Sequence, residues 1–277
     1  MRPLRNIPPD KKQFHYPVAA LLMASMGECC AMCERPIMAE NLVLNRQNFD
    51  LIRGNVAPGQ WSHMLLLCHN CGLSAKENEE DTTKKLIFPD REITFQLGRK
   101  SIFQYTLETV DTFISIEGNQ PLKKITPREV VLIKGRTEAA KNTIAFFRLN
   151  SNYYNSEENI LILPQTEDLH KMDRRLDLRT RAWDRAQSML ELFQQVEQKE
   201  IKTAMITNIR NSIRHGGFWS IWLTAFKKRV TDKHVLEEIF GQGPVPLAKN
   251  NALNKENALF GQIPYHHFPG TNEAWLD

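Results

Sequence analysis

The spacing of apolar residues along this chain changes three times, and each change marks a different kind of element. Near the start, "YPVAALLMASM" (Tyr16 to Met26) is a continuous apolar run behind the polar "PDKKQFH". It reads as a helix that ends at Gly27, a residue suited to the left-handed position after a helix. "ENLVLNRQNFDLIRG" alternates apolar and polar positions around Asn45–Asn48, the pattern of a hairpin. "GQWSHMLLLCHNCGLSAKENEEDTTKK" then starts a helix at or just after its second cysteine pair.

Over residues 86–135 the period falls to two. "KLIFP", "EITFQL", "SIFQYTL", "TFISIE" and "EVVLIK" carry Phe, Ile and Val between Pro, Asp and Gly, which predicts short strands. From Thr137 onward a helical period takes over. In "EDLHKMDRRLDLRTRAWDRAQSMLELFQQVEQKE", Leu176, Trp183 and Leu190 recur every seven residues with Ala186 and Phe193 beside them. That is the core-facing stripe of a long amphipathic helix. The apolar knot "GFWSIWLTAF" (Gly217 to Phe226) follows, and the chain beyond Gly241 turns to Pro, Gly and Asn. The pattern predicts an α+β protein in four segments: residues 1–85 with all the cysteines, a short-strand β region over 86–135, a mostly α-helical region over 136–240, and an irregular tail over 241–277.

Composition narrows this picture little. The chain has 277 residues, 42% hydrophobic and 25% charged, in the range of ordinary globular proteins. Its 36 basic and 32 acidic residues leave a net charge of +4, which permits a nucleic-acid partner without demanding one. No run reaches the roughly 18 apolar residues of a membrane helix. The early apolar run follows a stretch of mixed charge, and Gly-Glu-Cys-Cys is a poor cleavage site, so it does not read as a signal peptide. No membrane partner is expected, and a cytoplasmic location is.

The five cysteines change the picture most. Cys30 and Cys33 form one C-x-x-C, Cys68 and Cys71 a second, and 34 residues separate the pairs. Two such knuckles, each turning two thiolates toward one point, close a tetrahedral site for Zn²⁺. Four thiolates leave no open position for a catalytic water, so the expected zinc is structural. The pattern also admits two local disulfides or plain buried thiols. Cys29 is left over as a spectator thiol.

"GECCAMCERPI" followed by "WSHMLLLCHNCGLSAK" resembles the zinc-bound version of the HNH (ββα-metal) endonuclease superfamily. More narrowly it is similar to the PtuB-like proteins of Septu and retron-linked anti-phage systems. The "CAMCERPI" opening, "AAKNTIAFFRLNSNYYN" and "DRRLDLRTRAWDRA" carry that narrower likeness. The resemblance spans about residues 1–85, more weakly 137–185. It implies a zinc-stapled ββα module at the N-terminus, an ABC-type ATPase partner, DNA or RNA as ligand, and a role in antiviral defence.

Carried over residue by residue, the family's catalytic positions are altered here. The family's Asn, five residues before the third cysteine, is His63, and the His or Asn expected after the fourth cysteine is Gly72. The Asp/Glu-His of the first strand falls on Leu44-Asn45, while Lys76 matches the motif's final lysine. An amide at Asn45 cannot take the proton of an attacking water, and Leu44 and Gly72 offer no ligand for Mg²⁺. The resemblance therefore implies a degenerate nuclease subunit. The rival expectation is an active endonuclease using Mg²⁺ or Mn²⁺, with His63 as base and Asp50 or Glu40 with His69 at the metal. A third is a zinc-stapled adaptor with no nucleic-acid role.

Outside the cysteines, two surfaces stand as candidates. Lys171, Arg174, Arg181 and Arg185 fall near one helical face and are candidates, with Lys76, for contact with a phosphate backbone. Asp173, Asp177 and Asp184 are interleaved with them, so a salt-bridged surface, with pairs such as Asp177–Arg181, is the competing reading. Phe218, Trp219, Trp222 and Phe226 form either core or a partner-binding face. Ala140, Ile144, Phe146 and Phe147 read as core, with Asn150 at the end of their helix. "FPGT" (Phe268 to Thr271) either docks in a partner groove or folds back on its own chain.

Overall fold

The computed structural model describes residues 1–2, 22–23, 27–37, 65–78, 85–90, 92, 94–95, 97, 100–114, 123–150, 161–163, 173–241 and 268. The predicted hairpin around Asn45–Asn48, most of Tyr16–Met26 and nearly all of the tail lie outside these residues.

The described chain combines helices with one small sheet, as the α+β expectation requires. Leu22 and Met23 are helical, and Gly27, at φ 85°, donates its N–H to Met23 O at 2.8 Å. Helix α1 (His69–Glu77) starts inside the second cysteine pair.

Strands β1 (Phe103–Ile114) and β2 (Lys123–Gly135) form one long antiparallel ribbon, from Phe103 opposite Gly135 to Ile114 opposite Lys123. Its register slips between Val110 and Thr112. Short β3 (Leu161–Leu163) pairs parallel to β1, giving the order β2-β1-β3. Here the short-strand reading needs correction. The described residues of "SIFQYTL" from Phe103 and of "TFISIE" up to Ile114 share one strand, and the described residues of "KLIFP" and "EITFQL" form none. Backbone pairing is not what holds "KLIFP": Ile87 N–H is bound by Thr143 Oγ1 at 2.7 Å. "EVVLIK" has both faces covered, with Val131 and Ile133 in the main core and Val130 and Leu132 packed with Val110 and Leu176. A continuous apolar run is what such a doubly buried strand requires.

Thr137 caps α2 (Glu138–Phe146) by accepting Ala140 N–H at 3.2 Å. Asn150 does not end this helix. It lies beside β2, taking Ile133 N–H on Oδ1 and giving Nδ2 to Ile133 O, both at 2.8 Å. Thr180 Oγ1 accepts the N–H of Val131 at 3.0 Å. Two side chains thus occupy backbone groups that an edge strand would otherwise leave unpaired.

The stripe of Leu176, Trp183, Ala186, Leu190 and Phe193 is buried along α3 (Arg175–Gln195). That helix is shorter than its periodic pattern: Val196 turns extended, and α4 (Lys199–Gly216) begins afresh. Every residue of α5 (Trp219–Phe226) is buried, and α6 (Lys233–Phe240) completes the helical half behind its Asp232 cap.

Two large apolar clusters result, besides the small one of Val110, Val130, Leu132 and Leu176. One gathers Leu22, the knuckles around Cys30 and Cys68, Phe103, Tyr105, Val131, Ala140, Phe147 and Trp183. It draws on each of the first three segments read from the sequence. The other is a cage of Phe95, Phe193, Trp219, Trp222, Phe226 and Phe240. Phe268 is buried in it, which places that residue of "FPGT" against its own chain. None of the helices among the described residues is long and apolar enough to cross a membrane.

Candidate metal centre

Each knuckle is built by backbone bonds that turn the chain between its cysteines. In the first, Glu34 N–H returns to Cys30 O at 2.9 Å, and Cys30 N–H reaches Arg35 O at 2.9 Å. Glu34 closes this turn in a left-handed conformation, φ 62°. Cys29 pairs with Pro36 in an isolated antiparallel bridge and stays outside the sulfur cluster. In the second knuckle Cys68 precedes α1 and Cys71 lies in its first turn, with Gly72 N–H on Cys68 O at 2.9 Å. The knuckles are joined by Ala31 N–H to Leu66 O at 2.8 Å and by Arg35 Nη1 to Asn70 Oδ1 at 3.3 Å.

This arrangement brings the Sγ atoms of Cys30, Cys33, Cys68 and Cys71 within 4.8 Å of one another, all buried. Cys33 and Cys68 sulfurs are 3.6 Å apart. A Zn–S bond of about 2.3 Å in a tetrahedron puts neighbouring sulfurs about 3.8 Å apart. All five cysteines are free thiols, which removes the disulfide reading. Burial pushes the Cys33 and Cys71 thiols well above their usual range. Burial also opposes ionisation of Cys30, yet hydrogen bonds from Cys33, Cys68 and Cys71 hold that thiol well below it. Contact with Cys30 raises Cys68, and the bonds from Cys33 and Cys71 outweigh it and lower the thiol. Four thiols this close share protons, and a divalent cation is the partner that lets all of them ionise. The donor set, spacing and burial fit a thiophilic metal.

Two arginines that escaped the sequence reading stand against this cluster. Arg175 and Arg179 are each only 2% exposed. Arg175 Nη1 donates to Cys71 Sγ at 3.1 Å. Burial pulls the Arg175 guanidinium down, and the fields of Cys71 and Asp173 overcome it, holding it well above its usual value. Arg179 Nη2 donates to Leu149 O at 2.8 Å, and burial pulls its guanidinium down to about 10. A signal for both existed: positions 175, 179, 183, 186, 190 and 193 follow one helical spacing, so both arginines occupy the apolar stripe.

Glu34 was missed for a different reason, since its partners are far away in sequence. Its carboxylate accepts Ser220 N–H at 2.8 Å and Ser220 Oγ–H at 2.6 Å, and its carbonyl accepts Phe218 N–H at 2.9 Å. Phe218, the cap residue of α5, makes no side-chain cap bond. A carboxylate from the first knuckle therefore caps that helix and faces the positive end of its dipole. Gly217, φ 71°, permits the approach, because a Cβ there would stand 2.3 Å from Glu34 O.

The remaining candidates separate clearly. Among the described residues no other group of three or more potential ligands occurs. His69 is exposed at the start of α1, and Gly72 carries no side chain toward any metal. Asn45, Asp50, Glu40, His63 and Lys171 lie outside the described residues, as does the side chain of Lys76. Arg174, Arg181 and Arg185 are exposed, and Arg185 lines an open groove of about 590 Å³ with Asn208, Asn211, Ser212 and His215. Two of the interleaved aspartates do not act as the sequence suggests, while Asp184 is exposed. Asp173 is buried against Arg175, and Asp177 pairs with Arg128 of β2 rather than with Arg181. Phe218, Trp219, Trp222 and Phe226 are core, at most 3% exposed, so they offer no face to a partner.

No protein-family model, curated protein or solved structure matches this chain.

Proposed function

We propose that this chain is a zinc protein with a structural four-cysteine centre, acting as a catalytically degenerate HNH-type subunit of a prokaryotic anti-phage complex. In this reading it works beside an ABC-type ATPase and touches DNA or RNA through the exposed arginines of α3. The observation that carries the zinc assignment is the convergence of four buried thiols from two knuckles. When bound, zinc supplies cross-linking of the two knuckles, and four thiolates leave it no position for an activated water. The degenerate assignment draws support from Gly72, which stands without a ligand directly after Cys71. Nucleic-acid contact draws support from Arg174, Arg181 and Arg185, whose charges face solvent where phosphates can be met.

Metal analysis of the purified chain tests the first part, with one zinc per chain expected and well under one sinking it. Duplex and single-stranded binding across a salt series tests the second. A steep loss of affinity with salt is expected, reduced when Arg174, Arg181 and Arg185 are changed to Ser together. Mg²⁺- or Mn²⁺-dependent cleavage that His63→Ala abolishes would overturn the degenerate assignment.

A further inference from the structure

Arg175 is held at every donor it owns. Its Nε gives to the two oxygens of Asp173 at 2.9 and 2.8 Å, and Nη2 gives to Asp173 Oδ2 at 2.5 Å. Nη2 also reaches Arg148 O at 3.1 Å, while Nη1 reaches Phe147 O at 2.8 Å and Cys71 Sγ at 3.1 Å. With Arg179 on Leu149 O, two arginines one turn apart take three successive carbonyls at the end of α2. The guanidinium plane is thereby fixed on one side by a carboxylate and on the other by a helix terminus. Nη1 is left pointing at sulfur.

The chemistry of that contact is specific. A zinc held by four thiolates carries roughly two net negative charges, and that charge leaves each sulfur basic and nucleophilic unless a donor offsets it. An N–H from a fixed cation withdraws density from the thiolate while leaving its metal-directed lone pair free. Groups that orient a ligand in this way govern metal retention as strongly as many ligands do. Cys30, buried as deeply as Cys71, takes its hydrogen bonds from the backbone N–H of Cys33 and from the thiols of the other three cysteines, whereas Cys71 faces a guanidinium.

We infer that Arg175 is an outer-sphere positioning residue of the metal centre, shielding the Cys71 thiolate and slowing metal loss by tying the second knuckle to α2 and α3. This rests on the zinc reading above. The experiment uses the full zinc-loaded chain and begins with its metal content, because well under one zinc per chain would fail that reading rather than this inference. Given one zinc, transfer to a chromogenic chelator is timed for the native chain, Arg175→Lys and Arg175→Met. Release is expected to quicken about 10- to 100-fold in Arg175→Met, with Arg175→Lys between. In the cobalt-substituted Arg175→Met chain, the sulfur-to-metal charge-transfer band is expected at longer wavelength, a change that loosened packing alone does not produce.

A second readout needs no variant. Limited alkylation of the native chain with N-ethylmaleimide, followed by peptide mapping of singly modified protein, should find Cys71 the least modified of the four. A share on Cys71 equal to or above that on Cys30 overturns the inference. So does a folded Arg175→Met chain with native release rate and an unmoved band. If Arg175→Met does not fold, the alkylation pattern decides alone.

Discussion

The two cores of this protein are assembled on different principles. Around the cysteines, residues far apart in sequence meet through polar groups: Glu34 caps α5, Arg175 links Cys71 to the end of α2, and Asn78 Nδ2 ties α1 to Phe146 O at 2.9 Å. The aromatic cage is built on ring packing. Phe95, Trp219, Phe226 and Phe240 meet mostly edge to face, with ring centroids 5.8 to 6.0 Å apart along Phe95–Trp219, Trp219–Phe240 and Phe226–Phe240. A polar bond within it runs from Trp219 Nε1 to Phe240 O at 3.0 Å. Apolar burial needs no exact partner, so this core tolerates loss of any one contact in proportion to the area removed. A core of thiols and buried ions is conditional. Its charges are stable only while each partner is present, and loss of one leaves several others uncompensated.

The largest expected effect follows from removing the metal. Chelation, or Cys71→Ser, should abolish hydrogen-exchange protection over residues 27–37 and 65–78 while α4 and α6 keep theirs. Structural zinc sites contribute of order 10 kcal/mol of binding free energy, more than a core of this kind can replace. Equal loss of protection in both cores would erase the distinction drawn between them. Next is Trp222→Ala, which empties the centre of the aromatic cage and should lower stability by about 3–5 kcal/mol in urea unfolding. Its zinc content should remain one per chain. Glu34→Ala should cost about 2–3 kcal/mol, because it strips a charged acceptor from Ser220 and uncaps α5. Zinc release in that variant should quicken, which separates it from Trp222→Ala at similar stability. The smallest effect belongs to Asp232→Ala. Loss of its bond to His234 N–H should cost about 1 kcal/mol by the same unfolding measurement, with no change at the metal.

Much of this was readable from residue order alone. The stripe from Leu176 to Phe193 and the knot from Trp219 to Phe226 are buried where their spacing places them, because helical period and apolar content are local properties. The pairing of Cys30 and Cys33 with Cys68 and Cys71 was legible for the same reason: a C-x-x-C knuckle is a short-range geometry, and two of them define one tetrahedron. The end of the first helix at Gly27 and the start of α1 at the second pair were equally local. Where the reading went wrong, the deciding partner was remote. "KLIFP" has strand composition, yet Thr143, 56 residues on, takes the N–H that a neighbouring strand would have used. Asp177 faces Arg181 in helical spacing and still pairs with Arg128, because β2 lies beside α3.

Residue order by itself thus determined the periods, the turns and the sulfur count, each set within a few residues of chain. Tertiary structure decided which charges went inside. Glu34 looks like a surface residue in any local window, and helical spacing puts Arg175 and Arg179 on the apolar stripe without showing what holds their charges there, since burying an ion is costly until its hydrogen-bond partners are in place. Those partners stand 186 residues from Glu34, at Ser220, and 104 residues from Arg175, at Cys71. Only the folded chain brings them close enough for the interaction to outweigh the loss of water.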